Sequence, residues 1–250
     1  MELALIIIFF LLGLIFGSFF NVVGLRLPEG KPFANDRSAC PACHSQLSWY
    51  ENIPLVSFMV QRGRCRHCGG RISFLYPAVE WFTGCLFAVS YVWVGLQPEL
   101  VTALLLVSML MIILVSDLAY MRIPNQVLLF FLPFFLIMRM IVPLEPWWSP
   151  LLGAVLGLLI TAGIIVASRG GMGAGDMKLF GVLGIVLGAG KLLVAFFLSC
   201  VIGAVIGVLL LAFKVVGRKQ PVPFGPYIVA GSLLTYFFGD SLITWYINLF

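Results

Sequence analysis

Long apolar stretches, separated by short polar segments, dominate the pattern of this chain. Residues 3–23, 101–116, 151–167 and 192–213 are each almost free of charge. The longest of them can cross about 30 Å of hydrocarbon as α-helices. The pattern predicts an all-α polytopic membrane protein with about eight transmembrane helices, at roughly 3–24, 76–96, 99–116, 126–143, 150–168, 177–189, 191–214 and 224–245.

The composition supports this fold class. Of all residues, 62% are hydrophobic and 10% are charged, whereas a soluble domain carries about 25% charged residues. The first apolar stretch has no basic residue before it and no small-residue cleavage site after it, so we expect a retained span rather than a signal peptide. The sixth helix is short and rich in glycine, and we expect it to be re-entrant or buried inside the bundle.

Positive charge is distributed unevenly between the two sides of the membrane. If the chain crosses at each predicted helix, only Arg139 and Lys191 fall on one side. The other side receives Arg26, Lys31, Arg37, Arg62, Arg64, Arg66, Arg71, Arg122, Arg169, Lys178, Lys214, Arg218 and Lys219. This bias places the loop 25–75 in the cytoplasm and both termini outside. The net charge of +5 then reflects topology and contact with the lipid bilayer, and we expect no nucleic-acid partner.

The loop 25–75 is long enough to fold outside the bilayer as a small zinc-binding domain. It separates the first helix, 1–24, from a membrane domain, 76–250. The loop contains the segments CPAC, at 40–43, and CRHC, at 65–68, and each has the cysteine spacing of a zinc knuckle. Four cysteines form a closed tetrahedral site for a structural Zn²⁺. The predicted ligands are Cys40, Cys43, Cys65 and Cys68.

Other features of this loop leave alternatives open. Gly69-Gly70 permits the tight turn that a knuckle needs. Two disulfides or four free thiols are the alternatives to zinc, and a reducing cytosol disfavours the disulfides. His44 and His67 could each replace a cysteine as a ligand, but exposed loop positions are the simpler interpretation. Cys85 and Cys200 fall in predicted membrane spans, and we interpret them as small residues that pack between helices.

Two aspartates lie at ends of predicted helices on the cytoplasmic side. Asp117, in LVSDLAYMRIPN, is at the end of the third helix, and Asp176, in RGGMGAGDMKL, is at the start of the sixth. Ionisable groups at membrane depth are costly, which makes them candidate functional residues. The simpler interpretation is two solvated interfacial carboxylates, one of them capping the helix that begins near residue 177. That interpretation weakens for the pair, because Pro124 and the glycine cluster interrupt the chain beside each aspartate.

Two neighbouring carboxylates can share one proton. The ionised member then takes a proton from a water that attacks a peptide carbonyl, and the protonated member hydrogen-bonds the carbonyl oxygen. Gly173 and Gly175 would let a substrate backbone approach Asp176 closely, and a loose helix start or a packing site is the alternative. Neither GMGAG nor GAGK, at 188–191, completes a phosphate-binding motif.

These motifs resemble those of a known family. GMGAGDMKLF resembles the GxGD signature of intramembrane aspartic peptidases, and SDLAYMRIPN is similar to the companion aspartate motif of bacterial type IV prepilin peptidases. The further similar segments are GSFFNVVGLRLP, the two CxxC pairs, YENIPLVSF, ISFLYPAVEW and PFGPYIVAG. The resemblance covers nearly the whole chain in the same order.

The resemblance implies a multi-pass peptidase of the bacterial inner membrane. Such a peptidase removes the leader from type IV prepilins or pseudopilins at the cytoplasmic face. The resemblance makes Asp117 and Asp176 the catalytic pair and the four knuckle cysteines the zinc ligands. It also implies N-methylation of the new amino terminus with S-adenosyl-L-methionine, an activity with which Gly63 is associated.

Two other functions fit part of the pattern. An ion- or proton-coupled transporter could use Asp117 and Asp176 as ligands near a broken helix. However, both aspartates fall at one face of the membrane, and no inverted repeat is visible. A non-catalytic scaffold could recruit a cytosolic partner through the zinc loop, but this function leaves the aspartates and the glycines unexplained.

Overall fold

The computed structural model describes residues 1–32, 38–168, 171–217 and 222–248. Within these residues the regular structure is helical, apart from two isolated β-bridges. Arg37, Arg169, Arg218 and Lys219, which entered the topology prediction, lie outside the described residues. The helices are α1 (Glu2–Arg26), α2 (Val56–Val60), α3 (Leu75–Val94), α4 (Pro98–Tyr120), α5 (Asn125–Ile141), α6 (Ser149–Ala167), α7 (Ala174–Ala212) and α8 (Gly225–Ile247), with 3-10 helices at Leu27–Glu29 and Trp49–Asn52.

The predicted fold class is confirmed: the protein is an all-helical, multi-pass membrane protein. In the described part of the chain, six helices are long and apolar enough to cross a membrane, namely α1, α3, α4, α6, α7 and α8. Helix α5 is apolar but has only 17 residues. The predicted number of eight transmembrane helices is not confirmed: α7 covers both the sixth and the seventh predicted helices, which meet at a kink at Gly188.

Helix α7 bends sharply where the sequence predicts a boundary between two helices. Gly188 has φ 76° and ψ 171°, a conformation that side chains rarely allow. Before this bend, Leu179–Gly188 is buried without interruption, so the expectation of a buried, glycine-rich sixth helix is confirmed. A break in a membrane helix frees backbone groups that need new partners. Arg139 donates a hydrogen bond to the Val186 carbonyl at 2.7 Å, and the Ala189 N–H donates to Ser149 Oγ at 3.1 Å.

The chain forms two compact units, Met1–Val115 and Ser116–Phe250. In the second unit, glycines let α6 and the first part of α7 touch along their backbones. A Cβ on Gly184 would collide with the backbone of Gly153, and a Cβ on Gly157 would collide with the Phe180 carbonyl. This close packing fixes the position of the segment that begins at Ala174. The predicted division into 1–24, 25–75 and 76–250 stays a prediction.

In the first unit, α1 packs against α3 through small residues and polar contacts. A Cβ on Gly17 would lie 2.8 Å from the Glu80 Cα, so the two helices approach closely. The Asn21 side chain donates to the Tyr76 carbonyl at 3.2 Å, and Ser18 hydrogen-bonds Glu80. Polar groups that satisfy one another in this way stabilise helix pairs inside a membrane.

Candidate active site and metal centre

Asp117 lies in the last turn of α4 and caps the start of α8. The residue is only 5% exposed. Oδ2 accepts a hydrogen bond from the Gly225 N–H at 2.7 Å. The first N–H groups of a helix have no partner within that helix, so a carboxylate at this point satisfies one of them. Asp117 is therefore held by the first residue of α8.

Asp176 lies at the start of α7 and is held by its own helix. It is 8% exposed, and its Oδ2 accepts the Gly173 N–H at 3.1 Å. The simpler interpretation expected Asp176 to cap a helix that begins near 177, but α7 begins at Ala174 and Asp176 is its third residue, which binds the N–H of the N-cap residue Gly173. The residue is nevertheless buried, so capping does not make it an ordinary solvated carboxylate.

The structure brings the two aspartates together in the second unit. The carboxylates are close enough for the charge of Asp117 to act on Asp176. In the described residues, each carboxylate accepts a hydrogen bond through Oδ2 and none through Oδ1. Neither Oδ1 is among the fully buried polar atoms that lack a partner. One oxygen of each carboxylate is thus fixed by backbone, and the other is available for water or a substrate.

One further hydrogen bond and two closely packed glycines organise the chain around Asp176. Lys178, one of the charges used to predict topology, donates from Nζ to Asn125 Oδ1 at 3.0 Å and so joins the starts of α5 and α7. A Cβ on Gly175 would lie 3.0 Å from the Ile123 Cβ, and a Cβ on Gly173 would lie 3.2 Å from Asp176 Oδ2. The two glycines therefore leave room for neighbours within the protein, and clearance for a substrate stays a prediction.

Gly225 is the residue of this site to which the sequence assigned no role. A Cβ at this position would lie 2.5 Å from Asp117 Oδ2, so only glycine allows the observed hydrogen bond. The sequence does indicate that a helix starts here, because the segment PFGPYIVAG contains Gly-Pro and proline is common in the first turn of a helix. The sequence gives no indication that this helix start faces Asp117, because 108 positions separate the two residues.

The four knuckle cysteines form one cluster in the first unit. Their Sγ atoms all lie within 4.8 Å of one another. Two equivalent turns produce this arrangement: the His44 N–H donates to the Cys40 carbonyl at 2.9 Å, and the Gly69 N–H donates to the Cys65 carbonyl at 2.9 Å. His44 and Gly69 both have positive φ, of 56° and 72°. The glycine predicted for a tight turn therefore occupies it, and a histidine takes the same conformation in the other knuckle.

The cluster fits a tetrahedral metal ion. Cys40 Sγ and Cys68 Sγ are 3.9 Å apart, close to the roughly 3.8 Å between thiolates that share one zinc at about 2.3 Å. The Ser45 hydroxyl lies 2.9 Å from Cys43 Sγ and can donate a hydrogen bond to its thiolate. Metals bind the thiolate, so this contact favours a ligand. All six cysteines are free of disulfides, and the four in the cluster could hold a metal.

The residues beside the cluster have structural roles. His67 is exposed, and its Nε2 lies 4.0 Å from Oε2 of the buried Glu51. Gly63 has φ 67°, and its carbonyl accepts the Ile72 N–H at 2.8 Å. A Cβ on Gly63 would lie 3.0 Å from the Phe58 ring. A turn and a packed aromatic ring thus account for this glycine, and its association with methyl transfer stays a prediction.

Comparison with known proteins decides the family. Residues 11–94 match the bacterial peptidase A24 N-terminal domain, and residues 104–208 match the type IV leader peptidase family. The chain is 46% identical to the prepilin leader peptidase/N-methyltransferase of Bacillus subtilis (strain 168), over 97% of this chain and 98% of that protein. This chain belongs to the type IV leader peptidase family. The resemblance seen in the sequence is confirmed.

More distant relatives of this leader peptidase have the same name. The prepilin leader peptidase/N-methyltransferase of Aeromonas salmonicida (strain A449) is 32% identical over 96% of this chain and 92% of that protein. The one from Stutzerimonas stutzeri is 31% identical over 99% of this chain and 95% of that protein. No solved structure matches the chain. The matches give no support to a transporter or to a non-catalytic scaffold.

Proposed function

We propose that this leader peptidase cleaves the leader from type IV prepilins or pseudopilins, with Asp117 and Asp176 as its catalytic pair. The main support is that two buried aspartates, each at the end of a helix, lie near each other in the second unit. The chain also belongs to a family of leader peptidases. The names of the relatives support prepilins as the substrate class.

Each aspartate has a defined task in this mechanism. The ionised carboxylate takes a proton from the water that attacks the scissile carbonyl, and the protonated partner hydrogen-bonds the carbonyl oxygen. The backbone N–H groups of Gly225 and Gly173 hold Oδ2 of each aspartate. Fixed orientation of this kind keeps both Oδ1 atoms directed at the reacting groups without reorganisation during the reaction.

The position of the pair suits a substrate that has a polar leader and an apolar helix. Helices α5 and α6 lie between the end of α4 and the start of α7. If each of them crosses the membrane, both aspartates lie at the same face. The cleavage site of such a substrate lies at that boundary, because its helix remains in the hydrocarbon. We assign this face to the cytoplasmic side of the inner membrane, because most of the positive charge falls on that side of the predicted topology.

The proposal includes two further components. The four-cysteine cluster would hold a structural Zn²⁺, which supplies cross-links to the loop and leaves no open position for chemistry. The relatives are named N-methyltransferases, so we propose that this protein also methylates the new amino terminus. S-adenosyl-L-methionine would supply the methyl group.

Cleavage of a purified prepilin in detergent tests the catalytic pair. Asp117→Asn and Asp176→Asn should each lower the cleavage rate by roughly 10³-fold or more, because an amide can neither accept nor donate the catalytic proton. Labelled S-adenosyl-L-methionine in the same reaction should label the new amino terminus. With a pilin peptide that already lacks its leader, both variants should still transfer the methyl group.

Asp240→Asn is the matched control, since Asp240 is exposed and pairs with Lys191 in the second unit. This variant should cleave at the wild-type rate. A wild-type rate in Asp117→Asn or Asp176→Asn would remove that residue from the mechanism. A wild-type protein that cleaves but never transfers the label would remove the methyltransferase from the proposal and leave the peptidase intact.

A further inference from the structure

Helix α2 is attached directly to a helix that spans the membrane. The N–H of Leu55, the residue before α2, donates to Glu80 Oε2 at 2.8 Å. Glu80 is buried in α3 and also hydrogen-bonds Ser18 of α1. A second contact lies on the other side of the short helix, where the rings of Phe58 and Phe74 pack edge to face at 6.2 Å. The hydrogen bond to Glu80 in α3 and the packing against Phe74, the residue before α3, fix the position of α2.

The attachment puts α2 at the membrane boundary. Helix α3 has 20 residues, which gives it a length of about 30 Å, the thickness of the hydrocarbon core. Its first turn must therefore lie near the boundary. Glu80 is the sixth residue of α3, only about 8 Å along the helix axis from its start. A backbone group that hydrogen-bonds Glu80 consequently lies near the boundary, within about 10 Å of the level at which α3 begins.

The outer face of α2 is apolar and uncovered. Val56, Met59 and Val60 follow one another at the spacing of a helix face and are 48%, 69% and 69% exposed. Phe58, which makes the contact with Phe74, lies on the opposite face. Apolar side chains grouped on one face and exposed to water are unfavourable, and they mark a surface that contacts a partner or a membrane.

The charge near this face indicates which of these it contacts. Four exposed arginines follow α2 in the chain, and no acidic residue occurs between Glu51 and Glu80. The four arginines are Arg62, Arg64, Arg66 and Arg71. Basic residues beside an apolar helix face complement anionic headgroups above a hydrocarbon surface. A bacterial inner membrane offers anionic headgroups above hydrocarbon, at the depth where the hydrogen bond to Glu80 holds α2.

We propose that α2 is an interfacial anchor, whose Val56, Met59 and Val60 insert among anionic lipids and hold the cysteine domain on the membrane. The anchor explains why the domain exposes these side chains. It is independent of the proposed peptidase chemistry, because neither aspartate takes part in it.

Photo-crosslinking of the full-length protein tests the anchor. The photoreactive amino acid p-benzoylphenylalanine replaces Met59 in one variant and the exposed Gln46 of the first knuckle in a control. Both are reconstituted in vesicles of phosphatidylethanolamine and phosphatidylglycerol, irradiated, and analysed by mass spectrometry. We expect the yield of phospholipid adduct at position 59 to exceed that at position 46 several-fold. Val60→Asp should lower the yield at position 59 several-fold, whereas Ser57→Asp, off the apolar face, should not.

Each result decides for or against the anchor. Equal lipid yields at positions 59 and 46 would overturn it, and so would a predominant adduct to a second copy of the chain or to an added prepilin. Bound metal measured on every variant shows that the cysteine domain is folded. If Val60→Asp kept both its metal and the full lipid yield, the apolar face would not be what inserts.

Discussion

The cysteine cluster and the aspartate pair are held in opposite ways. The four cysteines lie within 29 consecutive positions, and two equivalent turns shape the two knuckles that contain them. The two aspartates are far apart in sequence, and packed helices place them at helix ends. We therefore expect the cluster to depend on a bound metal ion for its stability, whereas the pair depends on the membrane bundle. Damage to one site should leave the structure of the other largely intact.

The largest expected effect concerns the metal. Cys65→Ser removes a buried cysteine from the proposed four-cysteine zinc site, and structural zinc sites contribute roughly 10 kcal/mol or more of binding free energy to folding. Elemental analysis should show about one zinc per wild-type chain and close to none in the variant. Limited proteolysis should then cut the loop between α1 and α3. Cleavage of prepilin should fall less than in either aspartate variant.

Cys85→Ser is the control for this experiment, because Cys85 lies in α3, outside the cluster. It should keep the metal. If Cys65→Ser lost cleavage as completely as Asp176→Asn while its membrane helices stayed folded, the two sites would not be separable. Full metal content in Cys65→Ser would show instead that the cluster is not the zinc site.

A smaller effect is expected at Gly225, whose N–H holds Asp117. Gly225→Ala places a Cβ 2.5 Å from Asp117 Oδ2, so the hydrogen bond of 2.7 Å from residue 225 must lengthen or break. Hydrogen bonds to charged groups contribute about 1.5–3 kcal/mol, which corresponds to a loss of roughly 10–100-fold in cleavage rate. Initial rates with a purified prepilin measure it. The zinc content should not change.

Gly163→Ala is the matched control for this substitution. Gly163 lies in α6 with no atom within 4 Å of an added Cβ, so alanine should be tolerated and cleavage should stay near the wild-type rate. Equal rates in Gly225→Ala and Gly163→Ala would show that the contact with Gly225 does not hold Asp117 in its working orientation.

The same contrast explains what could be predicted from the sequence. Ligand spacing is a local property, so the four cysteines and their tight turn at Gly69 were visible in the chain. Asp117 and Asp176 stood out because carboxylates are rare at membrane depth. The contact between Asp117 and Gly225 depends on which helices pack together, and no local pattern encodes it. Arg139 is similar: the sequence placed it on the less basic side, and its hydrogen bond to the Val186 carbonyl depends on the bend of α7 near Gly188.

The smallest effect is expected at Gly173, where substrate clearance and helix capping can be separated. Gly173 has φ −75° and ψ 146°, which alanine adopts without strain, so the N–H should still reach Asp176. If this glycine gives a substrate backbone room to approach, Gly173→Ala should raise KM about 3–10-fold, a change of roughly 1 kcal/mol, and leave kcat nearly unchanged. Steady-state kinetics with prepilin, beside Gly163→Ala, provide both constants. An unchanged KM would refute substrate clearance. A fall in kcat alone would mean that the added methyl group disturbs the carboxylate of Asp176, whose Oδ2 lies 3.2 Å from the added Cβ.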